Sequence, residues 1–255
     1  KLHGAEGSVL GVVHGVQPVT GGPAAYKRVR AGFGSLFNSP ANRVLGNYGS
    51  LVTPIFANAP GALELLPTKV HRDNGNRTDW FRVESGTTEI LSRPQSGDPY
   101  DEIYRQRTCF WRLVDESMVL PGSSGGSRGS PGWSTYLDNL DDAETFHDRL
   151  GLGKHPNTYQ LYGVSSGGSF PTFDNVVMRL EIDHTWPFEN EPLTTAMIGD
   201  IQADPEGFSQ SSGQEHTTSV VCTFTLRGEQ INCEIDAPTG SGDETVPENS
   251  GTVSS

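Results

Sequence analysis

The sequence has little to hold it together except packing. Only three cysteines stand among 255 residues (Cys109, Cys222 and Cys233), too few for a disulfide scaffold and without metal-ligand spacing. No run approaches the ~18 consecutive apolar residues of a membrane-spanning helix. The seven histidines show no HExxH or HxH arrangement, which argues against the usual catalytic zinc sites. A GxxxxGK[ST] loop and a dinucleotide fingerprint are also missing, so nucleotide chemistry finds no support. Bases are scarce as well: 18 Lys and Arg face 31 Asp and Glu, a formal net charge of −13.

What is present is punctuation. Gly (31) and Pro (17) together approach a fifth of the chain, and hydrophobic residues reach only 34%. Twenty-two aromatics are too many for a disordered chain. A chain rich in Gly, Pro, Ser and Thr, with few Ala/Leu-rich stretches, reads as all-β.

Charge is uneven along the chain. Residues 1–50 carry Lys1, Lys27, Arg28, Arg30 and Arg43 against Glu6, while residues 200–255 hold ten acids and one base, Arg227. The first fifty residues have ten glycines and no sustained periodicity, so they read as an extended arm. Its bases Lys27, Arg28, Arg30 and Arg43 are candidates to face a polyanion.

The strand pattern begins near residue 51. Asp79–Glu84 alternates, and Thr108–Leu120 reads as a longer strand ending at Pro121-Gly122. Asn175–Trp186 sets Val176, Met178, Leu180 and Ile182 against Val177, Arg179, Glu181 and Asp183, the alternation of a half-exposed sheet. A hairpin at 219–236 turns through Arg227-Gly228 and brings Cys222 near Cys233, as two buried thiols in preference to a bridge. One helix is expected, Leu137–Leu150, with Asp138, Asp141 and Asp142 near its start. Those three carboxylates are also candidate Ca²⁺ ligands, because a hard cation takes oxygen donors.

Catalytic motifs are sparse. Gly163-Val164-Ser165-Ser166-Gly167 satisfies GxSxG, the pattern of a serine exposed on a strand-to-helix turn. His184 or His216 would then be the base, and Asp174 or Asp183 its orienter. Gly167-Gly168-Ser169-Phe170-Pro171 cannot open a regular helix, however, so the segment reads as a loop. Cys109 with His147 is a formal nucleophile–base pair, and Glu181/Asp183 or Glu189/Glu191 a formal glycosidase pair. Each fits core packing or a solvated strand face at least as well.

The segment Phe173–Pro192, FDNVVMRLEIDHTWPFENEP, is similar to the last jelly-roll strand of nodavirus-like and tombusvirus-like capsid proteins. There an alternating strand runs into an aromatic, an acid and a proline. The resemblance implies an eight-stranded antiparallel jelly-roll β-sandwich over residues 51–192, with one short helix in a connection. Residues 1–50 would form an inner arm and 193–255 an acidic extension carrying the hairpin. It further implies a virion protein without enzymatic activity, self-assembled with copies of itself and other capsid proteins around viral nucleic acid, with Ca²⁺ between subunits near Asp141. The alternative is a secreted β-sandwich that binds or hydrolyses carbohydrate, using Trp80, Trp111, Trp133 and Trp186 as stacking platforms.

Overall fold

The computed structural model describes residues 5–33, 46–120, 131–151, 153, 155–164, 171–184, 189–208, 220–243 and 245–251. Its architecture is mixed α/β, which corrects the all-β jelly-roll expectation. The main sheet runs β3 (Thr88–Arg93), β2 (Phe81–Ser85), β5 (Val176–Ile182), β8 (Glu229–Ile235), β7 (Val220–Leu226), and the short β6 (Glu191–Pro192) adds to β5. Within it β2 and β5 are parallel, Phe81 opposite Val176, and the other pairs are antiparallel. A separate parallel ribbon joins β1 (Val12–Gly15) to β4 (Thr158–Leu161). Parallel pairing needs long crossovers, which the hairpin-connected strands of a jelly roll do not supply.

The alternating segment 175–186 does form a strand, with Val176, Met178, Leu180 and Ile182 buried. It lies inside the mixed sheet, not at the end of a jelly roll. The C-terminal hairpin is β7/β8 and belongs to that sheet too, so it is no surface decoration. Cys222 and Cys233 oppose each other there as buried free thiols. The helix read at 137–150 is also there, as α4 (Pro131–Leu150), though it is not the lone helix of the expected fold.

The largest departure concerns the expected arm. Residues Pro23–Ala31 form helix α1, with Pro23 in the first turn, where its missing N–H costs nothing. Tyr26 and Val29 are fully buried, and Tyr26 packs edge-on against Trp80 and Phe81 at 5.7 and 5.3 Å between ring centres. The Tyr26 hydroxyl donates to the Trp111 carbonyl at 2.8 Å. Helix α2 (Gly49–Phe56) lies beside α1, its Thr53 hydroxyl donating to the Val29 carbonyl at 2.7 Å. Helices α3 (Pro60–Leu63), α5 (Thr195–Ala203) and α6 (Glu248–Gly251) complete the described α-helices.

The stretch expected as a strand at 108–120 instead crosses the core in turns and one 3-10 helix, Glu116–Met118. Phe110, Trp111, Leu113 and Val114 are buried, and the Trp111 indole donates to the Glu102 carbonyl at 3.0 Å. An Arg112–Asp115 ion pair bends the chain three residues apart, a geometry that a strand excludes.

Candidate functional site

The carboxyl ends of β1 and β4 meet at one place, the position where open parallel sheets bind ligands. Val16 leaves β1 at φ 53°, with its amide donating to the Leu161 carbonyl at 2.7 Å. A β-branched residue in that region stores on the order of 1–3 kcal/mol, and such strain gathers at functional sites. Gly163 follows β4, and a Cβ added there would come within 2.6 Å of Asp243 Cβ. The absence of a side chain at Gly163 therefore lets Asp243 sit against the end of the ribbon.

The loop that carries Asp243 is built to hold it. Gly240 and Thr172 exchange two backbone hydrogen bonds of 2.9 Å. Gly242 leaves no space for a Cβ, which would strike the Val246 carbonyl and come within 2.6 Å of Thr172 Oγ1. Asp243 Oδ1 accepts from the Thr245 and Val246 amides at 3.0 and 2.6 Å. Its Oδ2 has no hydrogen-bond partner among the described residues. One oxygen is thus pinned by the backbone, and the residue is half-buried. Arg28 is the nearby cation: it donates to Thr245 Oγ1 at 3.4 Å and lies over the Phe33 ring at 5.1 Å. Burial lowers the Arg28 pKa, and the Asp243 carboxylate works against that shift.

Beneath the same loop lies a buried polar chain. Thr20 Oγ1 donates to Ser250 Oγ at 3.1 Å and sits 3.3 Å from His71 Nδ1, while His71 Nε2 is 3.3 Å from the Asp174 carbonyl. Burial pushes the His71 pKa down to about 4. The imidazole is therefore neutral and bonded to a backbone carbonyl, which suits a strut and not a base.

The residues singled out by sequence are dispersed. Lys27 is buried, donates to the Gly32 carbonyl at 2.8 Å, and is lowered by burial and then by Arg28 to about 8. Arg30 is buried too and donates to the Phe110 carbonyl at 3.3 Å. Of the four arm bases Arg43 lies outside the described residues, and Arg28 is the one beside the Asp243 loop. Asp138, Asp141 and Asp142 are exposed along α4, where Asp141 pairs with Arg105 at 2.7 Å. Among the described residues no group of three or more His, Cys, Asp or Glu side chains could hold a metal ion.

Cys109 is raised by burial to about 11, with its thiol donating to Gln106. His147 is engaged by the Tyr100 hydroxyl and, at 2.8 Å, by the Glu64 carbonyl, so the two do not form a pair. Asp174 accepts from the Asn74 amide at 3.1 Å, and Asp183 accepts from Gln230 at 2.9 Å. His184 sits 3.7 Å from Glu191, and Glu189 and Glu191 are both exposed. Ser165, His216 and Trp186 lie outside the described residues. Trp80, Trp111 and Trp133 are buried in the core and offer no stacking platform. Asp243 escaped the sequence reading, although Gly242 before it and Pro247 after it mark a tight turn in which an aspartate can cap backbone amides.

No family model and no curated protein matches the chain. A solved structure does, the crystal structure of the Tle4–Tli4 complex, at 28% identity and a TM-score of 0.65. The match covers 98% of this chain and 46% of that one, so the chain spans less than half the length of the structure it resembles. The mixed α/β architecture of this chain matches that neighbour, which is α/β-hydrolase-like.

This match replaces the capsid reading, because the similar structure is a complex of two different proteins, Tle4 and Tli4. The shell of identical copies, the enclosed nucleic acid and the virion have no support, and neither does the carbohydrate-active β-sandwich.

Proposed function

We propose that this chain is part of an ester-hydrolysing α/β-hydrolase-type protein and supplies the acid of its catalytic machinery from Asp243. The nucleophile and the imidazole come from polypeptide outside the described residues. The carrying observation is the Asp243 carboxylate itself: one oxygen is fixed by two backbone amides, the other has no hydrogen-bond partner among the described residues, and the residue packs against Gly163 at the carboxyl ends of two parallel strands. An acid in that setting orients an imidazole through its ring N–H, selects the tautomer that can accept a proton from a serine, and stabilises the imidazolium that forms. It stays ionised throughout. The fold comparison supports the reading at the level of architecture.

Asp243→Asn keeps an oxygen for the Thr245 and Val246 amides but turns an N–H₂ toward the imidazole, favouring the wrong tautomer. In the complete gene product, with p-nitrophenyl butyrate as substrate, we expect kcat to fall by about 10⁴ while KM changes little. Unchanged kcat in the variant, or a wild-type protein inactive on the ester, would refute the assignment.

A further inference from the structure

The β1/β4 ribbon is an unfinished sheet. Both strands are parallel, and parallel sheets occur almost only with both faces covered. Here one face is bare. Val13 and Tyr159 are paired on it, 66% and 67% exposed, with Leu161 beside them at 65%. Leu10, just before β1, is 94% exposed.

Among the described residues the edge is unpaired as well. The Val12 and Val16 amides donate to the Asn157 and Leu161 carbonyls, so the alternation of a strand turns the Val13 and Gly15 backbone groups away from β4. No other strand of the described residues pairs with that edge. Neither Val9–Val16 nor Thr158–Val164 holds a charged residue or a proline, the usual means of keeping an open edge from pairing. A ribbon of two four-residue strands is also too small to be stable by itself.

We propose that the β1 edge receives a further parallel strand, and that the helix following this strand covers Val13, Tyr159 and Leu161. The occupant is a strand–helix unit of the same gene product, from the part of an α/β-hydrolase-like molecule that this chain does not span. Three observations select it. The ribbon is parallel and calls for a crossover-connected neighbour, the exposed face is apolar and uncharged, and the similar structure is more than twice as long as the matched region. The unit would carry an uncharged Val/Ile-rich strand and a helix with one apolar face. This inference takes the fold from the hydrolase proposal but none of its chemistry.

Hydrogen exchange followed residue by residue tests it, comparing the 255-residue chain with the complete gene product. The Val13 and Gly15 amides should exchange at least about tenfold more slowly in the complete product, while β5 amides such as Leu180 are protected in both. Leu161→Glu should lower the Tm of the complete product by several degrees and leave that of the 255-residue chain unchanged. Equal exchange of Val13 and Gly15 in the two samples would overturn the proposal, as would protection in the 255-residue chain accompanied by a dimer in sedimentation. A kcat unaffected by Asp243→Asn, together with the expected exchange pattern, would remove the hydrolase assignment and leave the docking edge standing.

Discussion

Protonating His71 would put a positive charge at the centre of the molecule, against the Trp80 ring edge and between Thr20 and the Asp174 carbonyl. Burial is the main cause of its lowered pKa, opposed by the Asp174 carbonyl and Asp73 and assisted by Arg72. The folded value of about 4 lies below the unfolded 6.5, so between these pH values the unfolded chain binds more protons. The stability tied to a neutral His71 is complete above pH 6.5 and is lost as pH falls toward 4, a change of about 3 kcal/mol. His71→Gln keeps a polar side chain but cannot titrate. Urea unfolding at pH 7, 5.5 and 4.5 should show wild type losing stability more steeply than the variant. Parallel losses in the two proteins would show that His71 is not the group responsible.

Glycine placement makes a sharper test among the loops and helices. Gly242→Ala forces a Cβ against the Val246 carbonyl and Thr172 Oγ1, both held by the loop that fixes Asp243. We expect a loss of about 1–3 kcal/mol in chemical unfolding, the usual range for overpacking. Gly61→Ala, in open space on α3, should be neutral or slightly stabilising. The elements differ in how far they could be read from sequence. β5 and the β7/β8 hairpin were legible because each buries one face, so period-two alternation survives in the residues. α1 was not, because its buried side includes Lys27 and Arg30 as well as Tyr26 and Val29; a basic residue on the inner face erases the apolar stripe that marks a helix. Residues 108–120 misled in the opposite sense. A short apolar run declares burial without declaring conformation, and Arg112 closing on Asp115 decided the matter locally.

Within the first fifty residues the described segment Pro23–Ala31 is a core helix, and this reverses an expectation from charge. An arm could be removed without harm, whereas deleting residues 1–50 here removes Tyr26 from its packing against Trp80 and Phe81 and exposes the side of the core covered by α1. The truncated chain should lose cooperative thermal unfolding and near-ultraviolet circular dichroism. A sharp transition retained by the truncation would restore the arm. The candidate site was hidden at this scale for a related reason. Asp243 belongs to a segment whose ten acids read as a solvated tail, and a charge tally cannot register two backbone amides closing on one carboxylate. Nor does strand alternation say which strands are parallel; that depends on crossovers spanning most of the chain.

The contact between Thr20 and Ser250 joins residues 230 positions apart. On the ribosome, where chains lengthen by roughly 5–20 residues per second, Thr20 emerges long before its partner has been synthesised. His71 and the loop after β1 must therefore wait, half assembled, until α6 arrives to close the polar chain. The polar chain is completed only once the polypeptide through Ser250 has been translated. Until then the nascent protein has an open flank, the period in which a chaperone would find it.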